Sequence, residues 1–85
     1  MPEKTVTVGS AIGLHARPAA IIAEAVVNAG VPVSLSMDGA EPVDAGSALM
    51  IMTLGAENGA QVTVQSDDEE VLTKIAELVE QDLDA

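Results

Sequence analysis

The feature that most restricts the fold of this chain is its complete lack of cysteine and aromatic residues. None of its 85 residues is Cys, Phe, Trp or Tyr, although 48% are hydrophobic. Disulfides and thiolate metal sites are therefore excluded, and the core must consist of aliphatic side chains, alanine and methionine. Because a chain of this length can form one core of barely sufficient size, we predict a single domain over residues 1–85.

The net charge of the chain excludes several classes of partner. Fourteen acidic residues stand against three basic ones, which gives a formal charge of -11. This charge repels nucleic-acid phosphates and anionic lipid headgroups, and no aromatic ring is available to stack on a base. We predict no nucleic-acid binding and, since no apolar run is long enough, no membrane insertion. The N-terminal sequence lacks the pattern of a secretion signal, so we expect a cytoplasmic protein.

Two periodicities alternate along the chain and predict its secondary structure. Strands are predicted over residues 5–8, 33–37, 41–44 and 61–65. Helices are predicted over residues 16–28 and 48–53, and a third begins at a capping box at residues 66–69 and has an apolar stripe from Val71 to Leu83 and a polar side that includes Gln81. Pro42 requires an edge position for the third strand, because proline cannot donate to a ladder. The order predicts an α+β fold in which helices cover one face of a four-stranded sheet.

Turn and cap residues separate these elements. Gly30 and Pro32 end the first helix, and Asp38-Gly39 is typical of a tight hairpin turn. Ser47 is placed to cap the second helix, and Gly55 to end it in a left-handed conformation.

His15, the only histidine, lies where the first predicted helix begins. Its spacing alone is typical of an exposed histidine at a loop-to-helix junction. With His15 at the N-cap, however, Ala16, Arg17 and Pro18 form the first helical turn, whose backbone amides lack carbonyl partners and attract an anion. Pro18 suits this turn because it has no amide hydrogen to leave unpaired.

These neighbours favour phosphoryl chemistry at His15. Near neutral pH an imidazole is largely unprotonated and can attack phosphorus without a general base. Arg17 is the only basic residue between Lys4 and Lys74, and its planar fork can hydrogen-bond phosphoryl oxygens. We therefore predict reversible phosphoryl transfer through His15, with the bond at Nδ1 because that ring nitrogen lies nearer the backbone amides.

Other kinds of site lack their residues. One histidine without cysteine cannot assemble a zinc or haem site, and the contiguous acids at residues 67–70 suit a helix N-terminus better than a calcium loop. Neither a Gly-x-x-x-x-Gly-Lys loop nor a Gly-x-Ser-x-Gly motif occurs, and nothing marks a serine as the nucleophile of a Ser-His-acid site. We predict no metal and no cofactor.

Residues 13–19, Gly-Leu-His-Ala-Arg-Pro-Ala, resemble the active-site motif of the HPr family, the histidine-containing phosphocarriers of the phosphoenolpyruvate-dependent sugar phosphotransferase system. Residues 47–55 resemble the second helix of that family, and the order of elements fits throughout. The resemblance implies an open-faced β-sandwich with an antiparallel sheet and the order β-α-β-β-α-β-α. It also implies a carrier rather than an enzyme, which accepts a phosphoryl group on His15 from phosphorylated enzyme I and passes it to enzyme II A components.

The same resemblance implies a docking patch formed by Ala20, Ala48, Leu49 and Met52. Ile51 and Leu54 would instead face the core. Core packing is the other explanation for such an apolar helix, and spacing alone does not separate the two.

Ser47 corresponds to the serine that a regulatory kinase phosphorylates in some of these carriers. A helix N-cap is a sufficient role for it, and Gly46 stands where kinase-regulated relatives commonly carry lysine. A regulatory kinase or a transcription regulator is thus a further candidate partner.

Two alternatives stay open. The chain could be a non-catalytic regulatory module in which His15 only caps a helix, or a carrier in a nitrogen-regulatory phosphotransferase chain. We expect a monomer, because a carrier presents one exposed site to successive partners. Lysines are scarce around that site, where Glu24 and Val27 occupy the solvent end of the first helix, so we expect slow exchange with a foreign enzyme I.

Overall fold

A computed structural model describes residues 2–11, 13–37 and 40–81 of the chain. The strands are β1 (Glu3–Thr7), β2 (Val33–Met37), β3 (Val43–Asp44) and β4 (Gln61–Ser66). The helices are α1 (Ala16–Ala29), α2 (Ala48–Thr53) and α3 (Glu69–Glu80). The predicted order of elements is confirmed. No helix in this described part of the chain is long and apolar enough to cross a membrane.

The four strands form one antiparallel sheet in the order β1-β4-β2-β3. In β4, Val62 lies opposite Val6 of β1 and Met37 of β2. The short β3 occupies an edge, as Pro42 requires. It pairs over two residues only, fewer than the predicted 41–44, because the strand begins after the proline, which has no amide hydrogen to donate.

The core lies between one face of the sheet and the three helices. The strands bury alternate residues there, including Val6, Leu35 and Val64, while α1 and α3 contribute Ile22 and Ile75. The opposite face is polar, and the hydroxyl oxygens of Thr5 and Thr63 lie 2.9 Å apart across neighbouring strands on it. The predicted arrangement with helices on one face is therefore confirmed.

Glycines end two helices as predicted. Gly30 follows α1 with φ 73° and donates its amide to the Val27 carbonyl, which is the left-handed geometry that glycine adopts without strain. Gly55 follows α2 with φ 65°. The predicted Asp38-Gly39 turn and Leu83 lie outside the described residues.

The predicted capping box at residues 66–69 is wrong. Ser66 is the last residue of β4 and is fully buried, and its hydroxyl accepts the Asp68 amide at 3.2 Å. Asp68 is the actual N-cap of α3, where its carboxylate accepts the amides of Glu70 and Val71 at 3.0 and 3.2 Å. The strand thus extends one residue further than predicted, and the cap is Asp68, two residues after the end of the strand.

Two further boundaries differ from the prediction. The first strand was predicted over residues 5–8, but β1 covers Glu3–Thr7, and the Val8 amide donates to the Ala60 carbonyl at 2.8 Å just beyond its end. The last helix was predicted to continue to Leu83, but α3 ends at Glu80 and Gln81 is its C-cap, with extended backbone.

Candidate functional site

His15 occupies the N-cap of α1, as its position in the sequence predicts. Its backbone is extended, with φ -83° and ψ -169°, and its carbonyl accepts the first intrahelical hydrogen bond from the Ala19 amide at 2.9 Å. The imidazole makes no capping hydrogen bond to the helix and is exposed. The ring is therefore free to meet a reactant at the positive end of the helix dipole.

Two backbone amides next to His15 have no carbonyl partner within the helix. The Ala16 and Arg17 amides precede the first intrahelical bond, and Pro18 has no amide hydrogen. Pro18 is buried, so its ring anchors the first turn as well as fixing its φ angle. The turn thus presents a small number of oriented donors to a group carried on the His15 ring.

Arg17 is the cation of this site. It is exposed, and among the described residues its guanidinium makes no hydrogen bond or ion pair. An uncommitted guanidinium can offer both of its parallel N–H groups to an anion. His15, Arg17 and the two amides therefore all lie at the N-terminal end of α1.

The segment before His15 is fixed by close backbone packing at Gly13. Gly13 has φ 80°, and a Cβ added there would lie 2.4 Å from the Ala56 carbonyl oxygen and 2.8 Å from the Glu57 Cα. Only glycine fits both the angle and the space. The next residue, Leu14, is buried and donates its amide to the Ala56 carbonyl at 2.9 Å.

A tight turn at residues 57–60 supports this segment from below. The Ala60 amide donates to the Glu57 carbonyl at 2.9 Å, and Gly59 has φ 87°. The Asn58 side-chain amide donates to the Ser10 carbonyl at 3.1 Å, which links the turn to the loop before α1. Sequence reasoning missed this turn, although the Asn-Gly dipeptide is its signal.

A surface cleft of about 280 Å³ opens beside the imidazole. It is lined by Leu14, His15, Met52, Gly55, Ala56 and Glu57. The cleft joins the His15 segment to the end of α2 and to the turn that follows. Sequence reasoning also missed Glu57 as a neighbour of His15, since the two share this cleft only through contacts between distant segments.

The predicted docking residues differ in exposure. Leu49 is 69% exposed and Met52 36%, whereas Ala48 is half-buried and Ile51 fully buried. Leu54 is partly buried against the core. Ala20 is exposed on α1, which packs against α2. A further exposed methionine on α2, absent from the predicted patch, is Met50 at 40%.

Ser47 is the N-cap of α2. Its hydroxyl accepts the Met50 amide at 3.4 Å, so it has a structural role that requires no modification. The preceding Gly46 donates its amide to the Asp44 carboxylate at 2.8 Å. Ser47 is half-buried, next to the apolar surface of α2.

Comparison with known proteins identifies the family. A family model described as the PTS HPr component phosphorylation site matches residues 2–81. The chain belongs to the HPr family. A phosphocarrier protein HPr of Streptomyces coelicolor is 41% identical over 87 residues, which cover 99% of this chain and 94% of that protein.

Solved HPr structures share the fold described above. An HPr-C-His structure from Thermoanaerobacter tengcongensis superposes with a TM-score of 0.87 at 30% identity, covering 100% of this chain and 98% of that one. An HPr from Bacillus anthracis strain Ames gives a TM-score of 0.84 at 31% identity, covering 92% and 95%. The resemblance inferred from residues 13–19 is thus confirmed, and the chain is a phosphocarrier protein of the phosphotransferase system.

Proposed function

We propose that the chain carries a phosphoryl group on His15 Nδ1, which it accepts from phosphorylated enzyme I and passes to enzyme II A components. The observation that carries this proposal is the exposed His15 imidazole at the N-cap of α1, next to two unpaired amides and Arg17. A carrier of this kind forms a covalent intermediate but turns over no small molecule of its own.

The transfer step needs no base from this chain. The lone pair of the neutral ring nitrogen attacks phosphorus, so that the new N–P bond forms as the bond to the donor breaks. The bound phosphoryl group is then stabilised by hydrogen bonds that its oxygens accept from the Ala16 and Arg17 amides and the Arg17 guanidinium. These hydrogen bonds break when the phosphoryl group moves to an acceptor that has a higher affinity for it, so the step remains reversible.

The docking patch proposed for both partners consists of Ala20, Ala48, Leu49 and Met52. Exposed apolar side chains on a short helix beside the nucleophile suit an interface that must form and dissociate repeatedly. A methionine adapts its shape to more than one partner. As one site serves successive partners, we propose that the carrier works as a monomer in the cytoplasm, and sedimentation of the purified chain tests the monomer.

Labelling with phosphoenolpyruvate tests the carrier function. Incubation with phosphoenolpyruvate, Mg²⁺ and cognate enzyme I should add one acid-labile phosphoryl group, and the His15→Ala variant should accept none. Failure of the parent chain to be labelled by an active enzyme I would support the alternative, a regulatory module without phosphoryl transfer. Phosphorus–nitrogen coupling in NMR spectra distinguishes Nδ1 from Nε2 as the bonded atom.

Two finer assignments depend on partner assays. Transfer from the labelled carrier to a sugar-specific enzyme II A component, against transfer to a nitrogen-regulatory acceptor, decides which chain of reactions it serves. Incubation with a regulatory kinase and ATP tests phosphorylation of Ser47, with Ser47→Ala as the control. If the kinase phosphorylates Ser47, the N-cap hydrogen bond is retained only if a phosphate oxygen replaces the hydroxyl as acceptor.

A further inference from the structure

Glu57 lines the same cleft as His15 and brings an acidic side chain to it. Arg17 lies two residues after His15 on α1, whereas Glu57 comes from the turn after α2. The nucleophile is therefore accompanied by charges of both signs, and the cation alone accounts for the binding of a phosphoryl group. A carboxylate at this position calls for a separate explanation.

The backbone that carries Glu57 is held firmly against the His15 segment. Its neighbour Ala56 accepts the Leu14 amide at 2.9 Å, and Asn58 reaches the Ser10 carbonyl at 3.1 Å. The Gly59 amide donates to the Val8 carbonyl at 3.1 Å, and Gly13 lies so close to Glu57 that no Cβ fits between them. These bonds fix the backbone of Glu57 at the edge of the cleft, and its exposed side chain extends from there.

We infer that Glu57 sets the phosphoryl-transfer potential of the carrier by electrostatic repulsion of the phosphoryl group on His15. This inference rests on the proposed phosphorylation of His15. A phosphorylated imidazole carries nearly two negative charges, and a carboxylate beside it destabilises that form relative to the free ring. Glu57 thus makes the phosphoryl group easier to transfer to an acceptor. Its effect is opposite to that of Arg17 and the helix amides, which stabilise the bound group.

The equilibrium of the first transfer measures this effect without any contribution from docking. Overall, phosphoenolpyruvate loses its phosphoryl group to His15 and takes up a proton to become pyruvate, with enzyme I as the catalyst. A catalyst cannot change the equilibrium constant, so a variant that alters the constant acts on the carrier itself. Phosphorylated and free carrier are quantified by ³¹P NMR at fixed ratios of pyruvate to phosphoenolpyruvate.

The Glu57→Gln variant should raise this equilibrium constant about two- to fivefold, since exposed charges in water interact weakly. Glu57→Lys should raise it further. The matched control is Glu70→Gln, which removes the same charge at the start of α3, beyond the far end of β4 and roughly 20 Å along that strand from the turn. This control should leave the constant unchanged, and thermal melting of each variant verifies that it is folded.

Salt provides a second readout. At about 1 M salt the screening length falls to about 3 Å, so the difference between the parent and Glu57→Gln should largely disappear. Equal constants for the parent and Glu57→Gln, equal shifts in Glu57→Gln and Glu70→Gln, or a shift that persists in high salt would each overturn the inference while leaving His15 phosphorylation intact. A parent chain that enzyme I does not label overturns both.

Discussion

The Leu14 amide donates a hydrogen bond of 2.9 Å to the Ala56 carbonyl, and this bond joins the segment before α1 to the segment after α2. His15 directly follows Leu14, and Met52, the last of the large exposed apolar side chains of α2, lies three residues before Gly55. This hydrogen bond therefore holds His15 and the proposed docking surface in a fixed relative position. A partner that recognises α2 finds the imidazole at a fixed place relative to it.

The close packing at Gly13 predicts a large cost for a single methyl group. Gly13→Ala should lower the free energy of unfolding by about 2–4 kcal/mol, because it adds left-handed strain to a clash with the Ala56 carbonyl. Urea unfolding measures this change. The control is Gly30→Ala, where φ is 73° but no atom lies within 4 Å, so only the strain of about 1 kcal/mol remains. Equal costs at the two glycines would contradict the role of the packing.

Arg17 should contribute to transfer but not to stability. Arg17→Ala should reduce the rate constant for transfer from enzyme I roughly 10- to 150-fold, the equivalent of charge-assisted hydrogen bonds worth about 1.5–3 kcal/mol. The rate constant of Arg17→Lys should lie between those of the parent and Arg17→Ala, since lysine keeps the charge but lacks the planar fork. The melting temperature should hardly change, because the guanidinium has no partner among the described residues. A transfer rate within twofold of the parent would rule out this role.

Local patterns were sufficient to predict most elements and the residues at the start of α1. Alternation and helical spacing place the strands and helices within a few residues, because each element buries one face against the same core. The motif from Gly13 to Ala19 also contains its own cap, anchor and cation, so its chemistry follows from adjacent residues. That is why His15 and Arg17 could be proposed as site residues from the sequence alone.

Features that depend on tertiary contacts could not be predicted in this way. The predicted capping box is wrong because Ser66 pairs with Val33 and belongs to a buried strand, and Asp68 caps the helix in its place. Glu57 was overlooked because 42 positions in the sequence separate it from His15, and tertiary contacts such as the Leu14–Ala56 bond bring their segments together. The exposure of Met50 likewise depends on how α2 lies on the core.

Substitutions at the neighbouring residues Met52 and Ile51 on α2 should distinguish a role in docking from a role in core packing. Met52→Asp should reduce transfer from enzyme I about 5- to 30-fold while the melting temperature stays near that of the parent, because Met52 is 36% exposed. Ile51→Ala should instead cost about 2–5 kcal/mol of stability, since Ile51 is fully buried.

Since Met52 also lines the cleft beside His15, a second variant is needed to separate lost docking from added charge. Leu49→Asp serves this purpose, because Leu49 is 69% exposed and does not line that cleft. Slower transfer in both variants indicates docking through α2. A Met52→Asp chain that unfolds would show that Met52 belongs to the core.

Ser47 should have a measurable structural role whether or not a kinase modifies it. Ser47→Ala removes the acceptor for the Met50 amide and should cost about 0.5–1 kcal/mol, the lower part of the range for N-caps, because the bond is long at 3.4 Å. Ser47→Asp keeps an acceptor and should retain most of this stability. Its charge lies next to Leu49, so transfer should nevertheless become slower. An Asp variant that transfers at the parental rate would argue against regulation through this position.

The charges around His15 predict how transfer responds to salt. Arg17 lies two residues after His15 on α1 and Glu57 lines the His15 cleft, while Glu24 and Lys74 line a separate cleft between α1 and α3. Rim charges mainly affect the rate of encounter, so a mixed and sparse set provides little steering. With an enzyme I from another organism, transfer should therefore be slow, and its rate constant should change little between about 0.05 and 0.5 M salt. A steep loss of rate over that range would show that long-range attraction drives the encounter, contrary to this distribution of charge.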